Sequence, residues 1–469
     1  MIKKGTYSTL VLLFLLASCL PEGSTPKPAL TSQGEAVLYL QPMPQEAQNL
    51  RIIIQRISAI GTDGMEVPFD LSFKELQGKD FTGRQRLLAT VILPPGSYTG
   101  ISVEVDKALV QTEEGEMALF VPEEPVIAQR LFKVERGKAS ALFLTFSGSG
   151  AVTSGITFTP SFALETSSRQ LINLVGYVSN SASNLISVFN KKTMLVVDAI
   201  ATGSGPKGIA LDQRRIRAYV AVSGDDTIEA YNVFTGRLIG KALLNFRDHP
   251  VDLGLTPDGK TLVSVNHDSN TVSIIDAISL LRLETIKVGE RPTSVVIDPS
   301  GFKAYVMNTL SSTISVIDLT QRTLTVTLSV EGDPLQGAFN SAGDKLYVVS
   351  RNSPNLSVID PARLTITDRI FTGTGARSIK VDVRTGLILV GKEFGREITI
   401  VDPSTSMFVD TIEVGGQAGF MTIDGQENTL FVSVPDKGIV QKLNLTSKRI
   451  MGEIDVGAEP DEVVVIGER

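Results

Sequence analysis

The chain has 469 residues, a formal net charge of −7, 42% hydrophobic residues, one cysteine and no tryptophan. No basic patch with interleaved aromatic residues occurs, so we expect no nucleic-acid partner. A single cysteine excludes an intramolecular disulfide framework, and the hydrophobic content lies in short runs that predict no membrane span.

Residues 1–19 have the pattern of a targeting segment. Lys3 and Lys4 precede the apolar run 10–17, which is too short to cross a bilayer and ends at Cys19. The sequence Leu-Ala-Ser-Cys at 16–19 resembles a bacterial lipobox, which implies lipidation of Cys19 and a membrane anchor. An ordinary secretory peptide is the alternative. Leu20 follows the cysteine, and by resemblance to Gram-negative sorting signals this favours the outer over the inner membrane of the cell envelope.

Residues 20–33 are rich in Pro, Ser and Thr and predict a disordered tether. Residues 34–165 then show apolar or alternating runs separated by turn signals, which predict a β-sandwich domain. The runs are 36–40, 51–60, 86–93, 100–105, 126–134 and 140–146. Through Leu-Pro-Pro-Gly-Ser-Tyr-Thr at 93–99 the segment resembles a domain of unknown function found in bacterial lipoproteins.

Residues 166–469 repeat themselves with a period of 42, except for one interval of 44 between Pro206 and Pro250. The repeat is clearest where a strand-like run ends in an aspartate, at Asp276, Asp318, Asp360 and Asp402. Each unit holds four short runs rich in Val, Ile, Thr and Tyr, bounded by Gly, Pro, Asn and Asp. A period in the forties with four strands per unit predicts a β-propeller blade. The aspartates occupy turns, where Asp bonds its own backbone, and this structural role is preferred to a catalytic one.

Seven copies predict a seven-bladed ring that the C-terminal strand closes. The first copy has no inner strand, whereas the chain ends in an inner strand, 460–466, with no blade to follow. That strand is expected to complete the first blade and to remove an open sheet edge. The fold class is therefore all-β, with a β-sandwich before a seven-bladed propeller.

The copies resemble the YVTN family of bacterial and archaeal β-propeller repeats. The pattern is carried by Pro292, the turn Asp-Pro-Ser-Gly at 298–301, Ala-Tyr-Val-Met-Asn at 304–308 and Thr-Ile-Ser-Val-Ile-Asp at 313–318. The resemblance covers residues 171–469 and implies the propeller fold. It assigns no activity.

The turns differ between the two faces of the predicted ring. Turns after the first and third strand of each blade are stereotyped, whereas the loops after the second and fourth strand diverge. We call the side with the divergent loops the variable face and predict that it is the recognition surface. Its candidate residues are Arg247, Asp248, His249, His267, Arg291, Arg351 and Lys392. Two histidines with Asp248 or Asp268 suggest a metal site, but no close-spaced ligand motif supports one, and exposed loop histidines are preferred.

A polar column follows the start of each inner strand. By strand alternation its side chains point away from the packed face and towards the central channel. The predicted channel ring consists of Asp252, Ser294, Gln336, Ser378, Lys380 and Glu462. Such a ring suits a cation or a small polar ligand, or simply water.

No hydrolase, zinc-protease or haem motif occurs. The sequence therefore predicts a non-enzymatic cell-envelope lipoprotein without a cofactor, whose propeller binds a protein or glycan partner. Two alternatives stay open. One is a lactonase-like hydrolase using Asp252, Glu462 and Lys380, and the other is an accessory protein of a periplasmic redox enzyme.

Overall fold

A computed structural model describes Lys27 and residues 30–148, 150–168 and 172–468. The targeting segment, Cys19 and most of the predicted tether lie outside these residues. The described chain is nearly all β, as the strand-rich sequence predicted. Its short 3-10 helices are Gln45–Ala47, Gly78–Phe81, Ile172–Leu174, Ser223–Asp225 and Pro435–Lys437.

The N-terminal part consists of two facing β-sheets. The first sheet runs β13-β10-β1-β6-β4, and the second contains β3-β2-β7-β8, with β5 on β2 and β9 on β7. The strands are β1 Gly34–Leu40, β2 Leu50–Gly61, β3 Glu66–Pro68, β4 Asp70–Leu71, β5 Glu75–Gln77, β6 Arg86–Leu93, β7 Gly96–Thr112, β8 Gly115–Leu119, β9 Val126–Val134, β10 Ala139–Ser147, β11 Val152–Thr153, β12 Thr157–Phe158 and β13 Ser161–Thr166. Apolar side chains of both sheets share one core.

The rest of the chain forms seven four-stranded antiparallel sheets, the blades. From the inner to the outer strand, blade 2 is β17 Pro206–Asp212, β18 Arg217–Val222, β19 Thr227–Asn232 and β20 Leu238–Leu243, and blade 3 is β21 Pro250–Leu255, β22 Thr261–Asn266, β23 Thr271–Asp276 and β24 Arg282–Lys287. In the same order, blade 4 is β25 Pro292–Ile297, β26 Lys303–Asn308, β27 Thr313–Asp318 and β28 Thr323–Ser329, and blade 5 is β29 Pro334–Phe339, β30 Leu346–Ser350, β31 Asn355–Asp360 and β32 Thr365–Phe371. Blade 6 is β33 Ala376–Val381, β34 Ile388–Lys392, β35 Glu397–Asp402 and β36 Met407–Glu413. Blade 7 is β37 Met421–Asp424, β38 Thr429–Val434, β39 Ile439–Asn444 and β40 Ile450–Asp455.

Blade 1 joins the two ends of the ring. It consists of β14 Val175–Asn180, β15 Leu185–Asn190 and β16 Leu195–Ala201, with the last strand of the chain, β41 Pro460–Val465, as its inner strand. Strand β41 pairs antiparallel with β14 and packs beside the inner strands of blades 2 and 7. The predicted closure by the C-terminal strand is therefore confirmed.

The repeated residues hold each blade and connect it to the next. The Asp318 carboxylate accepts hydrogen bonds from the backbone N–H groups of Thr320 and Gln321, both at 2.8 Å, as expected of a turn residue. The buried Tyr219 hydroxyl donates to the carbonyl of Ala277 in the next blade at 2.8 Å. Equivalent hydrogen bonds recur at the corresponding positions of other blades. The repeated residues of the sequence therefore form repeated hydrogen bonds within and between blades.

The sandwich packs directly on the propeller. Every residue of β1 is buried, because one face of the strand lies in the sandwich core and the other contacts blade 1. Tyr39 and Phe143 join Phe189 and Val196 of the propeller in one apolar cluster. The carbonyl of Lys27, inside the predicted tether, accepts a hydrogen bond from Asn184 of blade 1. The described end of the tether is therefore packed against the propeller.

Candidate functional site

The inner strands surround a central channel with a narrow waist. The waist is formed by Asp252, Gln336, Phe420 and Glu462, because each borders a cavity on either side. The cavity on the variable face, which we call the mouth, has a volume of about 200 Å³, and the lower cavity has about 300 Å³. Three members of the predicted polar ring thus face the channel.

The ring residues also connect neighbouring blades. Glu462 Oε2 accepts from the N–H of Ile209 at 2.6 Å, and Asp252 Oδ2 accepts from the N–H of Val295 at 2.8 Å. In each case the donor lies in the inner strand of a neighbouring blade. The sequence predicted these residues in the channel but did not predict this second role, because the blades that a side chain joins depend on the geometry of the ring.

The other ring positions make the same kind of link. Gln336 accepts from the N–H of Ile379 at 2.8 Å. The hydroxyls of Ser294 and Ser378 donate to carbonyls of the next blade, at 2.7 and 3.2 Å. Both serines line the mouth, but each hydroxyl already donates to a backbone carbonyl.

Enclosure in the waist makes the two carboxyl groups difficult to ionise. Burial raises the pKa of Asp252 to about 7, although hydrogen bonds from Val295 and Leu253 oppose this. Burial raises the pKa of Glu462 well above its ordinary value, and the negative charge of Asp252 raises it further. A cation brought between them is the direct way to relieve this cost.

Lys380 lies below the waist, away from the mouth. It borders the lower cavity, and its Nζ lies 2.6 Å from Glu468 in an ion pair. Of the three residues considered for a hydrolase, Asp252 and Glu462 thus border the mouth, whereas Lys380 lies beyond them in the lower cavity.

The rim of the mouth carries two arginines that share one carboxylate. Arg351, predicted on the variable face, has Nε 3.7 Å from Glu393, and Arg377 has Nη1 3.8 Å from the same residue. Arg377, Glu393 and Asp461 were not among the sequence candidates. Arg377 and Asp461 belong to the column at the second position of each inner strand, where residue type varies from copy to copy, and that variation is the signal that identifies them.

The two histidines meet at Asp268. Nδ1 of His249 lies 2.5 Å from Asp268 Oδ2, and Nδ1 of His267 lies 2.7 Å from Oδ1. Hydrogen bonds from the two imidazoles lower the pKa of Asp268. Asp248 is not part of this cluster, because its buried carboxylate accepts from the N–H of Asn245 at 2.8 Å. Nowhere in the described part of the chain do three His, Cys, Asp or Glu side chains form a group suited to a metal ion.

The remaining variable-face candidates differ in exposure. Arg247 and Arg291 are exposed, and both have positive φ, at 66° and 48°. Lys392 is only 4% exposed, and its Nζ donates to the carbonyls of Thr372 and Gly373 at 2.5 and 2.9 Å. It is not available on the recognition surface, because β34 extends to Lys392 and turns its side chain inward. Burial lowers its pKa to about 8.

No protein-family model and no curated protein matches the chain. Solved structures do. A functionally unknown protein from Desulfotomaculum acetoxidans DSM 771 has a TM-score of 0.56 at 14% identity, over 62% of this chain and 98% of that one. Dihydro-heme d1 dehydrogenase NirN in complex with DHE has a TM-score of 0.50 at 12% identity, over 64% and 77%. Kuenenia stuttgartiensis hydrazine synthase has a TM-score of 0.48 at 17% identity, over 54% and 87%. The likeness to the first two structures, at these identities, shows the β-propeller fold alone.

Proposed function

We propose that the chain is a lipid-anchored cell-envelope protein of the YVTN type, whose variable face binds a protein partner. One observation carries the binding role. Phe246, Phe394 and Leu243 are 88%, 79% and 72% exposed, the highest values of any large apolar side chain in the described residues, and all three lie at the variable face. Apolar side chains that a folded scaffold already holds at its surface lose less entropy on docking than those of a disordered segment. Aromatic residues are enriched in protein interfaces.

The test compares two faces of the same ring. The double variant Phe246→Ser/Phe394→Ser removes both aromatic tips, and Phe302→Ser removes a phenylalanine that is 63% exposed on the opposite face. We expect an envelope protein that the wild type and Phe302→Ser retain equally, with at least about tenfold less retained by the double variant. Purified partner and protein are then titrated against each other.

Two outcomes contradict this proposal. If the double variant retains every protein that the wild type retains, the variable face is not the interface. If binding survives proteolysis of the extract and is lost on glycosidase treatment, the partner is a glycan. Co-purification of a haem or quinone protein, lost in the double variant, identifies the partner as a redox enzyme.

The anchor is a separate proposal, supported by the lipobox-like residues 16–19. No helix among the described residues is long and apolar enough to cross a membrane. We expect fatty-acid label to be incorporated into the wild type and into Ser18→Ala, but not into Cys19→Ser, and the label to fractionate with the outer membrane. A labelled Cys19→Ser variant overturns the anchor without affecting the binding proposal.

A further inference from the structure

Charges in the channel mouth are divided between opposite sides of the ring. Asp461 and Glu462 from blade 1 and Asp252 from blade 3 line one side, while Arg351 from blade 5 and Arg377 from blade 6 line the other. A mouth with both signs of charge so separated has an electric field directed across it.

The acidic side contains a carboxylate oxygen that the hydrogen bonds between blades leave available to the mouth. Glu462 is 7% exposed and uses Oε2 to accept from Ile209. Among the described residues, no hydrogen-bond donor or cation contacts its Oε1, while the residue lines the mouth. Asp252 and Asp461 line the same cavity, and burial raises the pKa of both carboxyl groups, although the charges of Lys207 and Arg377 oppose this at Asp461. A buried carboxyl group without a cation is costly, so this side of the mouth favours a positively charged ligand group.

The basic side has hydrogen-bond donors to spare. Arg351 and Arg377 are 47% and 35% exposed, and their contacts with Glu393, at 3.7 and 3.8 Å, are longer than hydrogen bonds. Each guanidinium group carries five N–H donors in a fork that matches a carboxylate. One shared glutamate leaves most of these donors available to an anionic ligand group.

We propose that the channel mouth binds a small zwitterion, with its ammonium group at Glu462 and its carboxylate at Arg351 and Arg377. The cavity volume of about 200 Å³ suits a ligand of about the size of an amino acid. Val251, Leu335 and Phe420 supply an apolar wall for the carbon chain between the two charges. This site is distinct from the proposed protein interface, because it lies inside the ring whereas the aromatic tips project from it.

Calorimetric titration of the full-length protein tests the two charges separately. The zwitterions are glycine, γ-aminobutyrate and ε-aminocaproate, which span a range of charge separations. Hexylammonium and hexanoate match ε-aminocaproate in length but carry one charge each. We expect at least one zwitterion to bind at least about tenfold more tightly than hexylammonium and than hexanoate. Equal affinities, or no binding of any zwitterion at about 10 mM, overturn the proposal.

Variants assign each charge to its residues. Glu462→Gln is expected to weaken binding of the zwitterion and of the ammonium probe by about tenfold, without affecting the carboxylate probe. Arg377→Gln is expected to weaken binding of the zwitterion and of the carboxylate probe by about tenfold, without affecting the ammonium probe. Lys138→Met changes a half-exposed charge on the sandwich, away from the channel, and serves as the control with unchanged affinity. If Glu462→Gln and Arg377→Gln both bind the zwitterion as the wild type does, the mouth is not the site. Circular dichroism confirms that each variant is folded.

Discussion

The carboxyl group of Glu462 joins two blades and faces the channel at the same time. Oε2 accepts from the N–H of Ile209 in blade 2 at 2.6 Å, while the residue lines both cavities. The intervening position in blade 2 is Gly208, where a Cβ would lie 2.7 Å from the Cα of Asp252. The missing side chain thus allows the two acidic residues to lie close enough for the charge of Asp252 to affect the ionisation of Glu462.

This arrangement predicts a pH-dependent stability. Burial and the charge of Asp252 raise the pKa of Glu462 in the folded state. The folded protein therefore holds this proton more tightly than the unfolded chain. The resulting stabilisation is complete below the unfolded pKa and is lost as pH rises through the folded pKa. In Glu462→Gln the amide oxygen still accepts from Ile209, and no charge develops.

We expect the Tm of Glu462→Gln, relative to the wild type, to rise by about 2 °C or more between about pH 5 and pH 8. Thermal unfolding followed by circular dichroism across this range measures the difference. Ser294→Ala removes a link between blades that does not titrate, so its Tm difference should be independent of pH. If the Tm difference between Glu462→Gln and the wild type is as independent of pH as that of Ser294→Ala, this account is contradicted.

At the level of elements, a buried ion pair secures the closure of the ring. Lys191, in the turn between β15 and β16, has Nζ 2.7 Å from Asp424 of β37, and the two side chains are 1% and 0% exposed. The same Nζ donates to the carbonyl of Ile466 at 2.7 Å, just after β41. One ammonium group therefore connects blade 1, blade 7 and the C-terminal strand. Because both charges are buried, loss of one leaves the other without compensation.

Lys191→Met is expected to lower the free energy of unfolding by about 3–5 kcal/mol, because Asp424 is then buried without its cation. Adding Asp424→Asn should recover part of this loss, since the amide oxygen can still accept from the N–H of Gln426. Lys138→Met, which breaks a half-exposed pair with Glu135, should cost about 1 kcal/mol or less. Urea denaturation measures all three. A double variant as unstable as Lys191→Met would mean that the lost packing of the lysine dominates.

The sequence could predict the structural features that recur in every repeat, but few of the contacts that occur only once in the molecule. Strands, turns and ring closure follow from columns that recur every 42 residues, because each column reports a local environment. The parallel pairing of β1 with β10 has no local signal, since the two strands are far apart in sequence. Lys392 was predicted on the surface because it follows Gly391 in a charged stretch, whereas the strand continues through it. Arg377 stayed unrecognised because its role depends on Glu393, in the loop after another strand.

On the scale of the whole molecule, the sandwich covers the outer edges of blades 1 and 7. Gln85 pairs with the backbone of Val196 in β16, accepting from its N–H at 2.7 Å and donating to its carbonyl at 3.2 Å. Arg84 forms ion pairs with Glu453 and Asp455 of blade 7, at 2.8 and 2.6 Å. Without the sandwich, the outer strand β16 would be an exposed sheet edge. The neighbouring domain thus provides hydrogen-bond partners for part of its backbone. The orientation of the variable face relative to the sandwich is fixed by this interface.

The interface predicts that both domains unfold together. Phe143 is 5% exposed and stacks near Tyr39, with ring centroids 6.0 Å apart, inside the apolar cluster shared with blade 1. Its replacement by serine removes about 3 kcal/mol or more of packing while leaving the sandwich core intact, because the side chain lies on the outer face of its sheet. Scanning calorimetry should show one transition for the wild type and for Ile127→Ser, an exposed position on the sandwich. Phe143→Ser should show two transitions, because the weakened interface no longer couples the two domains strongly enough for them to unfold together. Two transitions already in the wild type, or a single unshifted one in Phe143→Ser, would show that the contact does not couple the domains.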